Sequence, residues 1–228
     1  MALLGQIDAV AIDGPAGSGK STVSRLVADK LGYVYIDTGA MYRALTLKVM
    51  RKNICLGDEA AIVDLSGNVD IQLIPARSGG PIRVILDGED VTEEIRAMGV
   101  TVNIKHVCKL AGVRENMVRM QREMASRMGG TVMEGRDVGT VVLKGARSKF
   151  YLDASFDERV ERRLAELRAK GQPITRAEVA DDLKQRDHTD KTREVGPLKK
   201  ADDAELLDTT DLTIDQVVDM IVLKVKGK

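Results

Sequence analysis

The sequence predicts an α/β fold in which helices cover both faces of a parallel β-sheet. Three observations indicate this fold. Short apolar runs alternate with segments whose apolar residues recur at helical spacing. A glycine-rich turn joins the first apolar run to the first helical segment. Two strands of alternating polarity lie in the first half of the chain and predict a small antiparallel insert.

The parallel core is predicted from apolar runs and the helical segments between them. Strands are predicted at residues 7–12, 33–36, 131–134, 149–153 and 205–208. Apolar residues at helical spacing predict helices within residues 23–31, 41–51, 113–128, 156–167, 179–183 and 214–225. Thr175 with Glu178, and Thr213 with Gln216, have the spacing of capping boxes and mark where the last two helices begin.

One segment departs from the alternation of strands and helices. Apolar and polar residues alternate over 69–73 and again over 82–86, and residues 75–81 between them are rich in proline and glycine. This pattern predicts a β-hairpin, with residues 88–91 beginning a third strand. Because an antiparallel hairpin does not fit within a parallel core, we expect an inserted subdomain.

The composition is that of a globular protein. The chain has 228 residues, 43% hydrophobic and 31% charged, which allows one domain with additions or two small domains. The 35 basic and 35 acidic side chains cancel, which argues against a protein that coats nucleic acid. Cys55 and Cys108 lie far apart and in no CxxC pair, so we expect two small buried residues in a reducing compartment rather than a disulfide framework or a zinc site.

No targeting or membrane segment is recognised in the sequence. Residues 1–6 lack the basic and apolar regions of a signal peptide, and no run of 18 apolar residues occurs. We therefore expect a cytoplasmic protein with no membrane partner. Aromatic residues make up 3% of the chain and tryptophan is absent, so the core is expected to be aliphatic, with ten methionines filling gaps.

The glycine-rich turn has the pattern of a phosphate-binding loop. Backbone N–H groups in such a loop close around phosphate oxygens, and the positive end of the following helix points at them. Lys20 is placed to reach the terminal phosphates of a nucleotide, and the hydroxyl of Ser21 to reach a magnesium ion. The residues predicted to bind the nucleotide are Gly14, Pro15, Ala16, Gly17, Ser18, Gly19, Lys20, Ser21 and Thr22.

Arginines follow several predicted strands, at the sheet edge where a second phosphate group would bind. A guanidinium grips phosphate through two parallel hydrogen bonds, which makes such clusters candidates for an acceptor site. Arg43 and Arg136 follow strands in this way. Arg186, Asp190 and Arg193 are spaced to share one face of a helix, and Arg159, Arg162 and Arg163 share a face of the preceding helix. Taken alone, Arg43 or Arg114 could equally be an arginine on the solvated face of a helix. The charged run 159–168 could be an exposed helix face with salt bridges.

Four motifs occur in order along the chain: IDGPAGSGKST at 12–22, DTGAMYR at 37–43, EGRDVGT at 134–140 and RDHTDKTREVGPL at 186–198. Together they resemble the motifs of bacterial cytidylate kinases, a branch of the P-loop nucleoside monophosphate kinases, and the insert with LDGEDV at 86–91 is similar to the acceptor-domain extension of that branch. The resemblance covers nearly the whole chain. It implies a P-loop NTPase-type core at 1–37, 129–155 and 194–228, an acceptor-binding domain at 38–128 with its β insert at about 68–96, and a helical lid at 156–193.

The resemblance also implies a reaction and residue roles. ATP with Mg²⁺ would donate its γ-phosphoryl group to CMP or dCMP, with nucleotides as the only partners and the chain acting as a monomer. Catalytic roles would belong to Lys20, Arg136 and Arg193, and Ser21 would hold the metal. The acceptor would contact Thr38, Tyr42, Arg43, Arg114, Arg136, Asp137, Arg186, Asp190 and Arg193. Within that set, Arg43, Arg136 and Arg193 would hold the phosphate, Arg186 and Asp190 the ribose, and Arg114 and Asp137 the base, while Arg159, Arg162 and Arg163 would contact ATP from the lid.

The sequence departs from the family pattern in one segment and leaves alternatives open. Lys105 stands where the family usually has serine, and the proline usual near Ala111 is missing, so no role passes to Lys105. A kinase for another nucleoside monophosphate, or for a small hydroxyl compound, remains an alternative, and a hydroxyl acceptor would need a proton-accepting carboxylate such as Asp37 or Asp13. A nucleotide switch is disfavoured because the guanine signature Asn-Lys-x-Asp is not found.

Overall fold

The computed structural model describes residues 7–74, 82–169 and 171–227. The first six residues and the predicted hairpin turn at 75–81 lie outside the described residues. Within the described part of the chain, no helix is both long and apolar enough to cross a bilayer.

A five-stranded parallel sheet forms the core, as predicted. Its strands are β1 (Ile7–Asp13), β2 (Val34–Asp37), β6 (Thr131–Gly135), β7 (Ala146–Asp153) and β8 (Glu205–Asp208), numbered with the three insert strands counted as β3 to β5. They are ordered β2-β6-β1-β7-β8 and every neighbouring pair is parallel. All carboxyl ends therefore lie at one edge of the sheet, which is where ligands bind in folds of this kind.

Helices cover both faces of this sheet. They are α1 (Lys20–Leu31), α2 (Thr38–Arg51), α3 (Glu59–Gly67), α4 (Met98–Cys108), α5 (Ala111–Ser126), α6 (Phe156–Ala169), α7 (Arg176–Thr192) and α8 (Ile214–Lys226), with a 3₁₀ turn at Glu94–Arg96 and a π-helical turn at Val138–Val142. Both predicted capping boxes are present, Thr175 with Glu178 and Thr213 with Gln216. Each satisfies backbone N–H groups that the first turn of the helix leaves free.

The insert is antiparallel, as predicted. Its strands β3 (Ile71–Ile74), β4 (Arg83–Leu86) and β5 (Glu89–Asp90) pair in that order. Ion pairs connect them to the C-terminal half of α2, because Arg51 bonds to both Glu89 and Glu94. Lys48 likewise pairs with Asp87 at 2.9 Å, so the insert is attached to the helix that follows β2.

Two helices and one property of the cysteines were not predicted correctly. Helix α3 follows an Asp58 cap and has a short, alanine-containing sequence whose periodicity is weak. Helix α4 contains β-branched residues at 100, 101, 102, 104 and 107, which favour strands when read alone. The expectation that both cysteines are buried is wrong, because Cys55 is exposed and Cys108 only half-buried.

Three apolar clusters hold these layers together. On β1, Ala9 and Ala11 face the cluster formed with α2 and α5, while Val10 and Ile12 face the cluster formed with α1 and α8. This alternation is expected of a strand that is buried on both sides. The third cluster is separate and joins α6 to α7 through Val160, Leu164, Leu167, Val179 and Leu183, with Ala16 of the phosphate loop packed against it.

Replacing Leu183 with alanine should destabilise α6 and α7 more than the sheet. The side chain is fully buried in the small third cluster, and truncation of a buried leucine costs about 2–5 kcal/mol. We expect faster amide exchange in α6 and α7 with little change in β1, measured by hydrogen–deuterium exchange. The exposed neighbour Gln185→Ala is the control. Equal loss of protection in β1 would show that the third cluster is not an independent unit.

Candidate active site

The phosphate loop runs from the end of β1 to the start of α1. Gly17 and Gly19 have φ angles of 79° and 84°, in the left-handed region that favours glycine. A Cβ at Gly17 would also lie 2.9 Å from the carbonyl oxygen of Arg159, so the loop passes too close to α6 for a side chain. Because α1 begins at Lys20, its free N–H groups point into the loop and can bind an anion.

Lys20 is buried within this loop. Its Nζ donates to the carbonyl oxygen of Pro15 at 2.6 Å, and the residue is 5% exposed. Burial and the positive charge of Arg136 lower the pKa of Lys20 to about 7, against the opposing effect of Glu134. The lysine of the loop and Arg136 therefore lie close enough to repel, and an anion between them would relieve that repulsion.

Oxygen-bearing side chains surround the start of α1. Glu134 and Asp37 are register partners at the ends of β6 and β2. Tyr35 donates a hydrogen bond to Glu134, and the hydroxyl of Ser21 interacts with both of these residues. Burial, followed by the charge of Asp37, raises the pKa of Glu134. Hydroxyl and carboxylate oxygens are the ligands that hard cations prefer.

Asp13, at the end of β1, does not belong to this oxygen cluster. Its Oδ1 accepts from the N–H of Val138 at 2.8 Å and its Oδ2 from the N–H of Gly139 at 2.7 Å. Burial raises the pKa of Asp13 to about 6 although these two hydrogen bonds act to lower it. Both carboxylate oxygens are therefore engaged by the backbone of the segment that follows β6.

The predicted acceptor residues form a network of alternating charges. Arg136 Nε donates to Asp190 Oδ2 at 2.7 Å, and Asp190 also lies 3.7 Å from Arg193. Arg193 continues the network to Asp137 at 3.5 Å, and Asp137 forms a buried ion pair with Arg114. The structure thus brings together five residues that lie far apart in sequence.

A second group of arginines lies beside this network with less compensating charge. Arg43 donates to Thr101 at 2.8 Å, and burial followed by the nearby charge of Arg186 lowers the pKa of Arg43 to about 10. Burial also lowers the pKa of Arg186, with Arg163 and Arg136 acting in the same direction. Asp182, 3.6 Å from Arg186, and Asp37, beside Arg43, oppose these shifts only in part, and guanidiniums so close together are suited to an anion.

Tyr42 and Cys108 mark the end of the network that lies near Arg114. The Tyr42 hydroxyl is buried without a hydrogen-bond partner among the described residues, and its ring centroid lies 5.5 Å from the Arg114 guanidinium carbon. Charges on Arg193, Asp190 and Arg114 affect the pKa of the Cys108 thiol, although burial is the main effect and raises it. Cys108 was not among the predicted site residues. The one sequence feature that placed it near the site is its position one helical turn after Lys105.

Two of the predicted lid arginines contact the loop and its surroundings directly. Arg159 donates to Ala16 O at 3.0 Å and to Asp187 at 2.7 Å, so its guanidinium supports the loop from behind. Arg162 bonds to Thr209, whose hydroxyl lies 3.5 Å from Ser18 O. Both therefore lie at the loop that was predicted to bind ATP.

The remaining predicted residues lie near the site with different contacts. Arg163 pairs with Glu166 at 2.7 Å while facing the group around Arg43 and Arg186. Thr38, at the start of α2, donates to the carbonyl oxygen of Glu134 at 2.7 Å. Lys105 is exposed on α4.

Comparisons with known proteins agree on one family. A family model described as cytidylate kinase matches residues 10–227. The cytidylate kinase of Desulforamulus reducens is 50% identical over 220 residues, which cover 96% of this chain and 97% of that protein. The cytidylate kinase of Pelotomaculum thermopropionicum is 48% identical over 218 residues, which cover 96% of both chains.

A solved structure adds evidence on the fold alone. An uncharacterized protein from Eubacterium ventriosum superimposes with a TM-score of 0.52 over 98% of this chain and 100% of that one, at 13% sequence identity. The parallel sheet with flanking helices is therefore a known arrangement, and the α/β fold predicted from the sequence is confirmed by the strand order.

Removing the Tyr42 hydroxyl should not destabilise the free protein, whereas removing that of Tyr35 should. Deleting a buried group that has no partner is neutral or stabilising, while Tyr35→Phe removes one of the two hydroxyl groups, with that of Ser21, that bond to the buried Glu134, at a cost of about 1 kcal/mol. Chemical denaturation of Tyr42→Phe and Tyr35→Phe measures both. A loss of stability in Tyr42→Phe equal to that in Tyr35→Phe would mean that the Tyr42 hydroxyl is satisfied inside the protein.

Proposed function

The chain belongs to the cytidylate kinase family, and we propose from that premise that it transfers the γ-phosphoryl group of ATP to the 5′-phosphate of CMP or dCMP, giving ADP and CDP or dCDP. One observation carries the residue assignments. The lysine of the phosphate loop lies within electrostatic range of Arg136 and Asp190, and Asp190 pairs with both Arg136 and Arg193. The arrangement suits two anions that must be held against each other.

The donor binds on the loop. Backbone N–H groups between Gly14 and Ser21 surround the phosphates of ATP, and Lys20 reaches the terminal ones. Its pKa of about 7 rises beside phosphate charge, so Lys20 is positive when ATP is bound. Arg162 and Arg163, on α6, supply further positive charge from the lid.

The oxygen cluster fits Mg²⁺. Ser21 offers a hydroxyl, while Glu134 and Asp37 offer carboxylates beside it, directly or through water. No group of three or more potential metal-binding His, Cys, Asp or Glu side chains occurs among the described residues, which suits an ion held largely by ATP itself. When bound there, Mg²⁺ would neutralise charge on the transferring phosphoryl group.

The acceptor phosphate needs no general base. A phosphomonoester has a second pKa of about 6, so its attacking oxygen is mostly ionised at neutral pH. Repulsion between the two nucleotides is the remaining obstacle, and Arg43, Arg136 and Arg193 counter it. Catalysis then depends on alignment and charge neutralisation rather than on proton transfer.

The base lies at the Arg114–Asp137 pair. A carboxylate can accept a hydrogen bond from the exocyclic amine of cytosine, whereas uracil has a carbonyl at that place. Tyr42 contributes a buried hydroxyl that no described protein group satisfies, which leaves it for the base. Arg186 and Asp190 contact the ribose in this arrangement, and Arg186 also adds to the positive charge around the phosphate.

We further propose that the division into a core, an acceptor-binding domain at 38–128 and a lid at 156–193 describes how the parts move. Support comes from the separate apolar cluster between α6 and α7. We also propose that the protein acts as a monomer whose partners are ATP, CMP and dCMP. Closure of the lid would exclude water, so that the γ-phosphoryl group passes to the acceptor nucleotide and is not lost by hydrolysis of ATP.

An assay of ADP formation against a panel of acceptors tests the function. We expect CMP and dCMP to be used, with kcat/KM for UMP lower by about 10- to 100-fold, because a buried hydrogen bond at Asp137 is lost and replaced by two opposed acceptors. AMP, GMP and small hydroxyl compounds serve as further controls. Efficient use of a hydroxyl compound would reject the nucleotide acceptor, and equal use of CMP and UMP would reject the base-reading role of Asp137.

Replacing Arg136 with alanine should remove most phosphoryl transfer while leaving ATP binding intact. Its guanidinium bonds to Asp190 and lies within electrostatic range of Lys20, where it would hold the acceptor phosphate. We expect kcat/KM for CMP to fall by about 1000-fold, in the range seen when an arginine that stabilises phosphoryl transfer is lost. Calorimetric titration with ATP checks the donor site. Arg119→Ala, at an exposed arginine, is the matched control. Wild-type turnover of Arg136→Ala would contradict the assignment.

A further inference from the structure

Asp13 is the last residue of β1 and connects two functional segments. It directly precedes Gly14, where the phosphate loop begins, and its side chain is 4% exposed. Its two carboxylate oxygens accept from the N–H groups of Val138 and Gly139 at 2.8 and 2.7 Å. These two residues directly follow Arg136 and Asp137.

Other hydrogen bonds of the segment after β6 run to helices α5 and α7, such as those from Arg122 to the carbonyl oxygens of Val141 and Val142, or close within the segment. The carbonyl oxygen of Asp137 accepts from Val141 at 2.8 Å, which closes the π-helical turn on itself. Thr38 bonds to the carbonyl oxygen of Glu134 on the α2 side. The Asp13 carboxylate thus provides the direct hydrogen bonds between this segment and the strand that leads into the loop.

The presence of a buried carboxylate at position 13 is not explained by a gain in folding stability. Burial opposes its charged form more than the two backbone hydrogen bonds favour it, as its raised pKa of about 6 shows. Asp137 adds repulsion, while Lys20 and Arg136 add attraction and Tyr151 lies within electrostatic range. A neutral side chain would be less costly to bury, so a charged one indicates a functional requirement for two acceptors in one rigid group.

We propose that Asp13 is a positioning residue that fixes the acceptor-binding segment, with Arg136 and Asp137, relative to the ATP-binding loop. The proposal rests on the proposed function, because it deepens the same site. One planar carboxylate sets the spacing between the donor and acceptor halves of the cleft. It touches neither nucleotide and acts through the backbone of residues 138 and 139.

The consequence for catalysis follows from alignment. The attacking oxygen, the phosphorus atom and the leaving oxygen must lie nearly in line, and a misplacement of about 1 Å can cost about 100-fold in rate. An asparagine at position 13 has one acceptor and one NH₂ group, so one of the two N–H groups would face a donor. The segment must then shift, and the acceptor moves while the donor site does not.

Steady-state kinetics of Asp13→Asn with CMP, together with calorimetric binding of ATP, test this inference. We expect kcat/KM for CMP to fall by about 100-fold, through both a higher KM and a lower kcat. The affinity for ATP should change by less than about twofold. Asp153→Asn is the matched control, since Asp153 ends the neighbouring strand β7 and bonds to the N–H of the next residue. Its kinetics should remain those of the unmodified protein.

Gly139→Ala provides a second variant in case Asp13→Asn does not fold. A Cβ at Gly139 would lie 3.3 Å from Lys149 Cδ and 3.4 Å from Asp13 Oδ2, so it should crowd the same contact slightly while keeping the carboxylate. We expect a smaller loss of kcat/KM for CMP in the same direction. ATP affinity should again be retained.

Two results would overturn the inference. Folded variants with unchanged kcat and KM would reduce Asp13 to a structural role, and a parallel loss of ATP affinity would place its effect in the loop alone. The unmodified protein measured in the same assay separates this outcome from failure of the proposed function. If it phosphorylates another nucleoside monophosphate instead of CMP, the same ratios measured with that acceptor still decide the role of Asp13.

Discussion

Repulsion between like charges is the constraint on which this structure depends. A site for two polyanions needs several cations in a small volume, and those cations repel one another. Asp137, Asp190 and Glu134 lie between the arginines and Lys20 and make the arrangement tolerable. Buried ion pairs of this kind cost desolvation energy, so they contribute less to stability than to holding an anion site ready before its ligands arrive.

The parallel sheet makes this concentration of charge possible. The carboxyl ends of β1, β2 and β6 meet at one edge, and each strand is followed directly by a chemically active segment. The loop follows β1, the start of α2 follows β2, and the segment with Arg136 and Asp137 follows β6. Arg186 on α7 and Arg193 directly after it complete the candidate site. The apolar residues inside the sheet and the polar residues at its edge thus have separate tasks.

Most of the fold could be predicted from the sequence because its signals are local. The strands of the core are apolar runs, the capping boxes have fixed spacing, and the loop has a fixed pattern of glycines. Helix α4 was not predicted because its β-branched residues favour strands, and only packing against α2 and α5 makes it a helix. The secondary structure of such segments depends on tertiary packing, which local sequence patterns do not reveal.

The site was predictable as a set of residues but not as a network. Motifs indicated Arg43, Arg136 and Arg193, yet no spacing rule links Arg136 to Asp190 or Arg114 to Asp137. Asp13 could be noticed only as a carboxylate before the loop, and its partners lie more than a hundred positions away. Cys108 carries no motif at all. Long-range contacts of this kind follow from the order of strands in the sheet, which the sequence alone left open.

The packing of Ala16 against the cluster between α6 and α7 has a consequence for the catalytic cycle. Arg159 also donates to the carbonyl oxygen of Ala16, so the nucleotide loop supplies part of the surface on which α6 and α7 pack. If these helices move as the proposed lid, that apolar contact and that peptide oxygen would return to solvent together. Release of the product nucleotide would then be coupled to hydration of the loop backbone, and added cosolvents would change turnover even where the chemical step is fast.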